Sequence, residues 1–289
     1  MRSLLFIPAD SPNKLAKGLA SGADALLLDL EDSIAVDRKD AARQGALEFL
    51  QAHRGLTDRP KLIVRINGFD TGFTDADLDV IVAGAPDAVM FPKAEGGSAV
   101  THLDAKLTAR EAMHGLNAGS IKIVAIATET AKALFLAGTY ADASPRLIGL
   151  TWGAEDLSAE LGADTNRDAD GRFLDPYRLA RSLCLAGAAA AQVQPIDTVY
   201  VDFRNEAGLR RECEDARRDG FIGKMAIHPA QVAVINQAFT PSAEAIAHAK
   251  TVIDAFAQTP GAGVVGIGGK MYDRPHLVRA KALLTRAGV

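Results

Sequence analysis

The chain has 289 residues, 48% of them hydrophobic, enough for one large core, and a single barrel domain of ~250 residues suits that length better than two ordinary domains. Its 32 basic and 36 acidic residues give a net charge of −4 and are spread along the chain without a basic stripe, which speaks against nucleic acid as a partner. No apolar stretch approaches the ~18 residues needed to span a bilayer, and the opening run, ended by Pro8, lacks the length and cleavage site of a secretory signal.

Short apolar or β-branched runs alternate with longer segments of helical period. In chain order the runs are LLFIP (4–8), ALLLDL (25–30), LIVRIN (62–67), AVMFP (88–92), KIVAIA (122–127), LIGLTW (147–152), TVYVDF (198–203) and KMAIHP (224–229). Helical stretches follow them, such as NKLAKGLAS after the first, DRKDAARQGALEFLQAH after the second and EAGLRRECEDARRD after the seventh. Eight β/α units whose strands are apolar on both faces predict a closed parallel sheet, a (β/α)₈ TIM barrel. An open dinucleotide-binding sheet is disfavoured because no G-x-G-x-x-G follows the first strand.

The barrel is expected over 1–240 and a C-terminal helical extension over 241–289. That extension holds helical stretches at 241–258 and from Pro275 onward, joined by PGAGVVGIGGKMYD, whose glycines read as a mobile or folded-over connection. The two cysteines, Cys184 and Cys213, both lie in helix-like contexts. They suggest neither a disulfide framework nor a thiolate metal cluster, and a reducing cytoplasm is the simplest setting.

Active sites of parallel barrels lie at the C-terminal ends of the strands. The polar residues there are Glu31 and Asp32, Arg65 and Asn67, Lys93, Glu129, Glu155 and Asp156, Asp202, and His228. For Asp202 or Glu95 alone a solvated loop residue is the better reading. Carboxylates converging from three or more strand ends would repel one another unless a cation sat among them, and a divalent metal resolves this. Hard oxygen ligands suit Mg²⁺, with Glu129 and Asp156 on adjacent strands able to share one ion. Taken singly, each has an equal structural reading, Glu129 as a first-turn helix acid and Asp156 as an N-cap. Arg65, in a strand between apolar residues, must meet an anion; Glu31 or Asp32 could be a structural partner, and a substrate oxygen a functional one. His228, before Pro229, either donates to a phosphate or pantetheine group or closes a turn, the turn being favoured.

Together these strand ends resemble the citrate lyase beta-subunit-like family, which includes malyl-CoA and citramalyl-CoA lyases. The motifs are RSLLFIPAD (2–10), DALLLDLEDSI (24–34), VRIN (64–67), FPKAE (91–95), TET (128–130), GAEDLSAELG (153–162), GFIGKMAIHPAQ (220–231) and GKMYDRPH (269–276), covering nearly the whole chain. The resemblance implies Mg²⁺ held by Glu129 and Asp156, and Arg65 facing the thioester carbonyl or substrate carboxylate. It implies that the backbone N–H groups starting the helix at Glu155, Asp156 and Leu157 receive the substrate acid; His228 and Pro229 are the candidate cofactor contacts. Asp273 is implied as the acid/base, delivered by the extension of a neighbouring subunit in a homotrimer or homohexamer. Ala9, where the family commonly has glycine, and Asp10 after it narrow the space for a pantetheine arm. Arg2, Lys14 and Lys17 are weak candidates for phosphate contacts.

The activity implied is cleavage of a hydroxy-acid CoA thioester, of malyl-CoA or citramalyl-CoA type, to acetyl-CoA or a homologue plus an α-keto acid. Alternatives are a citryl-acyl-carrier-protein subunit of a citrate lyase complex, a metal-dependent aldolase on free keto acids, and an inactive scaffold barrel. A Schiff-base aldolase through Lys93 is disfavoured by its acidic neighbours, which keep the amine charged.

Overall fold

The computed structural model describes residues 1–289 and divides into two compact units, Met1–Asn236 and Gln237–Val289. In the first unit eight strands are laid down in order: β1 (Ser3–Pro8), β2 (Ala25–Asp29), β3 (Lys61–Arg65), β4 (Ala88–Phe91), β5 (Lys122–Ile126), β6 (Leu147–Thr151), β7 (Gln194–Asp197) and β8 (Gly223–Ala226). Each pairs in parallel with the next, and β8 closes on β1 through Ser3 opposite Lys224 and Leu5 opposite Ala226. The TIM barrel expected from eight apolar runs is therefore present.

Helices α1 (Pro12–Leu19), α2 (Lys39–His53), α3 (Thr74–Ile81), α4 (Gly96–Met113), α5 (Ala131–Leu136), α6 (Ala154–Glu160), α7 (Asp175–Ala190), α8 (Glu206–Asp219) and α9 (Pro229–Phe239) complete the alternation. None is long and apolar enough to cross a membrane. Alternate residues of the strands fill the barrel, where Leu4, Leu27, Ile63, Met90, Val124, Ile196 and Met225 form one buried cluster. Two residues further along β2 and β3 the same inward parity delivers Asp29 and Arg65 instead of apolar groups. The barrel is thus apolar through its middle and ionic at the C-terminal end of its strands.

The seventh strand differs from the sequence expectation. It is Gln194–Asp197, and TVYVDF at 198–203 leaves the barrel as a loop with Val201 and Phe203 exposed. Pro195 makes the true strand look interrupted, but its carbonyl still accepts from the Ile222 amide, so the missing N–H costs no pairing on that side. The valine and tyrosine alternation that imitates a strand continues beyond the sheet.

In the second unit α10 (Ala243–Gln258) and α11 (Arg274–Ala287) pack with an antiparallel hairpin of β9 (Val264–Ile267) and β10 (Lys270–Asp273). Val252, Phe256, Val265 and Ala280 are its buried core. The hairpin corrects the reading of PGAGVVGIGGKMYD as an irregular connection. Gly268 and Gly269 both have positive φ, 55° and 76°, the backbone of a two-residue turn whose twist matches the strands it joins.

Candidate active site

Arg65 ends β3 directly opposite Asp29 at the end of β2, and it is only 9% exposed. A guanidinium so placed needs anions, and the structure supplies a two-pronged pair: Nε donates to Asp29 Oδ1 at 2.6 Å and Nη2 to Oδ2 at 2.7 Å. Asp29 also accepts from the Glu31 amide and from the amide and hydroxyl of Ser33, so it is saturated. Burial works against its charge, yet Arg65, Ser33 and the Glu31 amide hold its carboxyl below the usual range. The principal partner of Arg65 is therefore Asp29, which sequence reading passed over inside an apolar run. Glu31 and Asp32, the expected partners, meet only Nη1, at 2.8 Å and 3.4 Å. The Nη1 contact to Glu31 Oε2 is an ion pair without hydrogen-bond alignment.

The loop carrying Glu31 is held from beneath by Lys39 and Asn67, of which only Asn67 carries a strand-end signal in the sequence. Lys39 Nζ donates to the Leu30 and Glu31 carbonyls and to Asn67 Oδ1. Asn67 in turn donates to the Leu30 carbonyl and to Asp77, which also receives Arg43. Asn67, a strand-end candidate, is thus fully engaged in support.

Lys93 follows β4 in the left-handed backbone region, with φ of 49°. Its amide donates to Glu129 Oε2 at 2.6 Å, and its Nζ lies 2.8 Å from Glu31 Oε1 and 3.7 Å from Asp156 Oδ1. Burial opposes its charge, but Glu31, Asp156 and Glu129 outweigh burial and keep the amine protonated. It is no Schiff-base nucleophile in this state.

Glu129 stands before α5, whose N-cap is Thr130, and is not a first-turn acid of that helix. It is 3% exposed, and burial followed by the charges of Asp156 and Glu31 raises its carboxyl well above the ordinary range. Gly153 makes room for it: a Cβ at that position would lie 2.6 Å from Glu129 Cγ. Gly153 is also the N-cap of α6, so Asp156 lies inside the first turn, not at the cap. Glu155 is exposed and accepts from Asn166 Nδ2 at 2.8 Å, whereas the Leu157 side chain is buried in the core.

Of these groups Asp29, Asp32, Arg65, Glu129, Glu155 and Asp156 line one cavity of about 450 Å³, with Phe6 and Met225 among its apolar walls. The Arg65 guanidinium lies over the Phe6 ring, 4.7 Å from its centroid. Five carboxylates, Asp29, Glu31, Asp32, Glu129 and Asp156, thus have two cations in direct contact, Arg65 and Lys93, while Lys39 acts on Asp29, Glu31 and Asp32 only through its field.

Other sequence candidates lie elsewhere. Asp202 is an exposed loop residue, since its run is not a strand. His228 is exposed, its Nδ1 accepts from the Ala230 amide at the start of α9, and its ring stacks on Phe203. That is the turn-closing arrangement, and Pro229 opens the helix. Arg2 pairs with Asp24 before the strands begin, at the opposite end of the barrel. Asp273 belongs to the second unit, where it caps α11 and meets His276 Nδ1 at 2.5 Å.

The sequence profile of the HpcH/HpaI aldolase/citrate lyase family matches residues 2–229. Citrate lyase subunit beta of Haemophilus influenzae is 37% identical over 288 residues, covering 99% of this chain and 96% of that protein. The (3S)-malyl-CoA thioesterase of Cereibacter sphaeroides strain KD131 is 37% identical over 293 residues, with 99% and 94% covered. The crystal structure of protein CitE from Mycobacterium tuberculosis in complex with magnesium, acetoacetate and coenzyme A superposes with a TM-score of 0.80 at 36% identity, covering 100% of this chain and 98% of that one. With a matching profile over most of its length and relatives aligned end to end, this chain belongs to the HpcH/HpaI aldolase/citrate lyase family and is a carbon–carbon lyase.

Proposed function

We propose that this protein cleaves a hydroxyacyl-CoA thioester of malyl-CoA or citramalyl-CoA type, using Mg²⁺ held by Glu129 and Asp156. The observation that carries the reading is the surplus of carboxylate charge around one cavity, with Glu129 buried against Asp156 and Glu31. The donor set fits the ion: Glu129, buried at the end of one strand, and Asp156, in the first turn after the next, are two hard carboxylates of the kind that suit Mg²⁺, which keeps waters and open positions. Magnesium and coenzyme A are both named in the complex of the similar CitE structure.

Bound there, Mg²⁺ would supply Lewis acidity toward the hydroxyl and carboxylate oxygens of the substrate. Arg65 is held rigid by Asp29 and lines the cavity, so its guanidinium, whose Nη1 also meets Glu31 and Asp32, is placed to offset charge on the thioester oxygen as the carbon–carbon bond breaks. The first-turn amides of α6, at Glu155, Asp156 and Leu157, receive the substrate carboxylate. As the carbon–carbon bond breaks the hydroxyl loses its proton to solvent, and Asp273, supplied by the extension of a neighbouring copy in a homotrimer or homohexamer, takes up a proton from solvent and passes it to the α-carbon of the departing thioester. His228 and Pro229 border the path of the pantetheine arm. The free, buried Cys184 and Cys213 fit a reducing cytoplasm.

A carrier-protein thioester is the second reading, favoured by relatives named as citrate lyase beta subunits. The deciding experiment is a coupled assay of the purified protein with Mg²⁺ for glyoxylate or pyruvate released from malyl-CoA and citramalyl-CoA, with Asp273→Ala alongside. Release by the wild type that is lost in the variant supports the CoA reading and the acid/base role. No release from either thioester rejects it in favour of the carrier-bound citryl substrate.

A further inference from the structure

Lysine is an unusual choice at φ of 49°, a backbone region that favours glycine. The conformation lets a single residue act on three carboxylates from three different strand ends. Its N–H fixes Glu129 Oε2 at 2.6 Å, its ammonium takes Glu31 Oε1 at 2.8 Å, and Asp156 Oδ1 stands off at 3.7 Å, beyond hydrogen-bond reach. The second oxygen of Glu31 is claimed by Arg65 Nη1 at 2.8 Å. Both oxygens of Glu31 therefore face cations, although the residue is buried beside Glu129 and chemically equivalent to it as a ligand.

We infer that Lys93 is a positioning residue that withholds Glu31 from the metal, limiting the ion to Glu129 and Asp156 and leaving its other positions for substrate oxygens and water. This rests on the proposed Mg²⁺ site. Three carboxylates on one small octahedral ion would bind it more tightly and leave fewer positions for a chelating acid. The left-handed turn matters because it aims the amide and the ammonium of the same residue at different carboxylates.

The test is calorimetric titration of the full chain with Mg²⁺ alone, without thioester, for the wild type, Lys93→Met, Lys93→Arg, Glu31→Gln and the double variant Lys93→Met/Glu31→Gln. Lys93→Met keeps the amide and the chain length but frees Oε1 of Glu31, Oε2 still facing Arg65, so the Mg²⁺ Kd falls about tenfold, while the thioester KM rises as open positions are lost. Lys93→Arg retains the wild-type Kd. In the double variant the tightening disappears, because the released ligand has gone. Should Lys93→Met fold poorly by circular dichroism, Lys93→Gly relieves the backbone, keeps the amide and gives the same tightening. An unchanged or weaker Kd in the folded lysine variants overturns the inference and leaves the metal reading standing. Tightening that persists without Glu31 also overturns it, since charge removal alone would then suffice. A wild type that binds no Mg²⁺ overturns the inference together with the metal site.

Discussion

At the N-terminal ends of the strands each arginine meets its carboxylates in a closed set, whereas at the C-terminal ends five carboxylates have two cations in direct contact. Arg2 lies on Asp24 before β1 and β2, and Arg59 on Asp87 before β3 and β4. Arg146, before β6, pairs with Glu111 through both Nη atoms, at 2.8 and 2.7 Å, while Glu111 also accepts from the amides of Gly119 and Ile121. Arg146 also takes Asp104 on its Nε, so each of these carboxylates has a guanidinium in hydrogen-bond contact. At the other end Glu129 is buried among like charges, and a glycine gives up its side chain to seat it. One set of charges fixes the barrel's geometry, and the other remains electrostatically incomplete until a cation arrives.

The sharpest way to break this comparison is Glu129→Gln. It should lower kcat/KM roughly a thousandfold by removing a metal ligand, yet raise metal-free stability by about 1 kcal/mol because the cost of burying a carboxyl beside Asp156 and Glu31 is gone. Steady-state kinetics with Mg²⁺ and thermal melting in its absence check both signs, and loss of activity together with loss of metal-free stability would contradict the assignment.

Arg146→Met is the mirror experiment. It strands the Glu111 carboxylate in the interior, so unfolding should become easier by about 3–5 kcal/mol and Tm should fall by roughly 10 °C. kcat/KM per folded molecule stays at the wild-type value at a temperature where both are native. A variant with normal Tm and reduced turnover would show that the two ends are not separable in this way.

Acid sharpens the same point with a smaller effect. Burial opposes the Glu111 charge, but Arg146, the Ile121 and Gly119 amides and Ser120 hold its carboxyl down to about 2 in the folded chain, against an ordinary 4.5. As pH falls the unfolded chain takes up this proton first. The stabilisation is therefore complete above the ordinary value and is lost as pH drops toward the folded one, amounting to about 3 kcal/mol from this group. Urea unfolding between pH 5 and 2, values chosen roughly to bracket that titration, should show a steeper loss in the wild type than in Arg146→Met. The smallest effect belongs to Asp202→Ala: this exposed loop residue should change neither kcat/KM nor stability by more than about 0.5 kcal/mol.

Much of this arrangement is legible in the sequence because periodicity and chemistry coincide. Strand-end position alone collects Glu31, Arg65, Lys93, Glu129 and Asp156, and all five face one another in the folded chain. Asp29 escapes because it sits within an apolar run, although its inward parity with Leu27 was available in the period-two pattern. The seventh strand escapes because Pro195 interrupts the shorter, true strand while the following loop imitates one. Lys39 and Asn166 carry no local mark; they support Glu31 and Glu155 through contacts that only folding creates. The hairpin ending at Asp273 hides in glycines that resemble a linker until two of them are placed in left-handed turn positions.

The central claim is that the surplus of carboxylates at the C-terminal end of the strands is a divalent-cation site. Thermal melting of the wild type and of Asp156→Asn in MgCl₂, against NaCl of equal ionic strength, tests it most directly. Saturating Mg²⁺ at about 100 times Kd should stabilise the wild type by about 2.7 kcal/mol, and the variant should lose most of that shift at the same concentration. Equal melting of the wild type in the two salts would contradict the account.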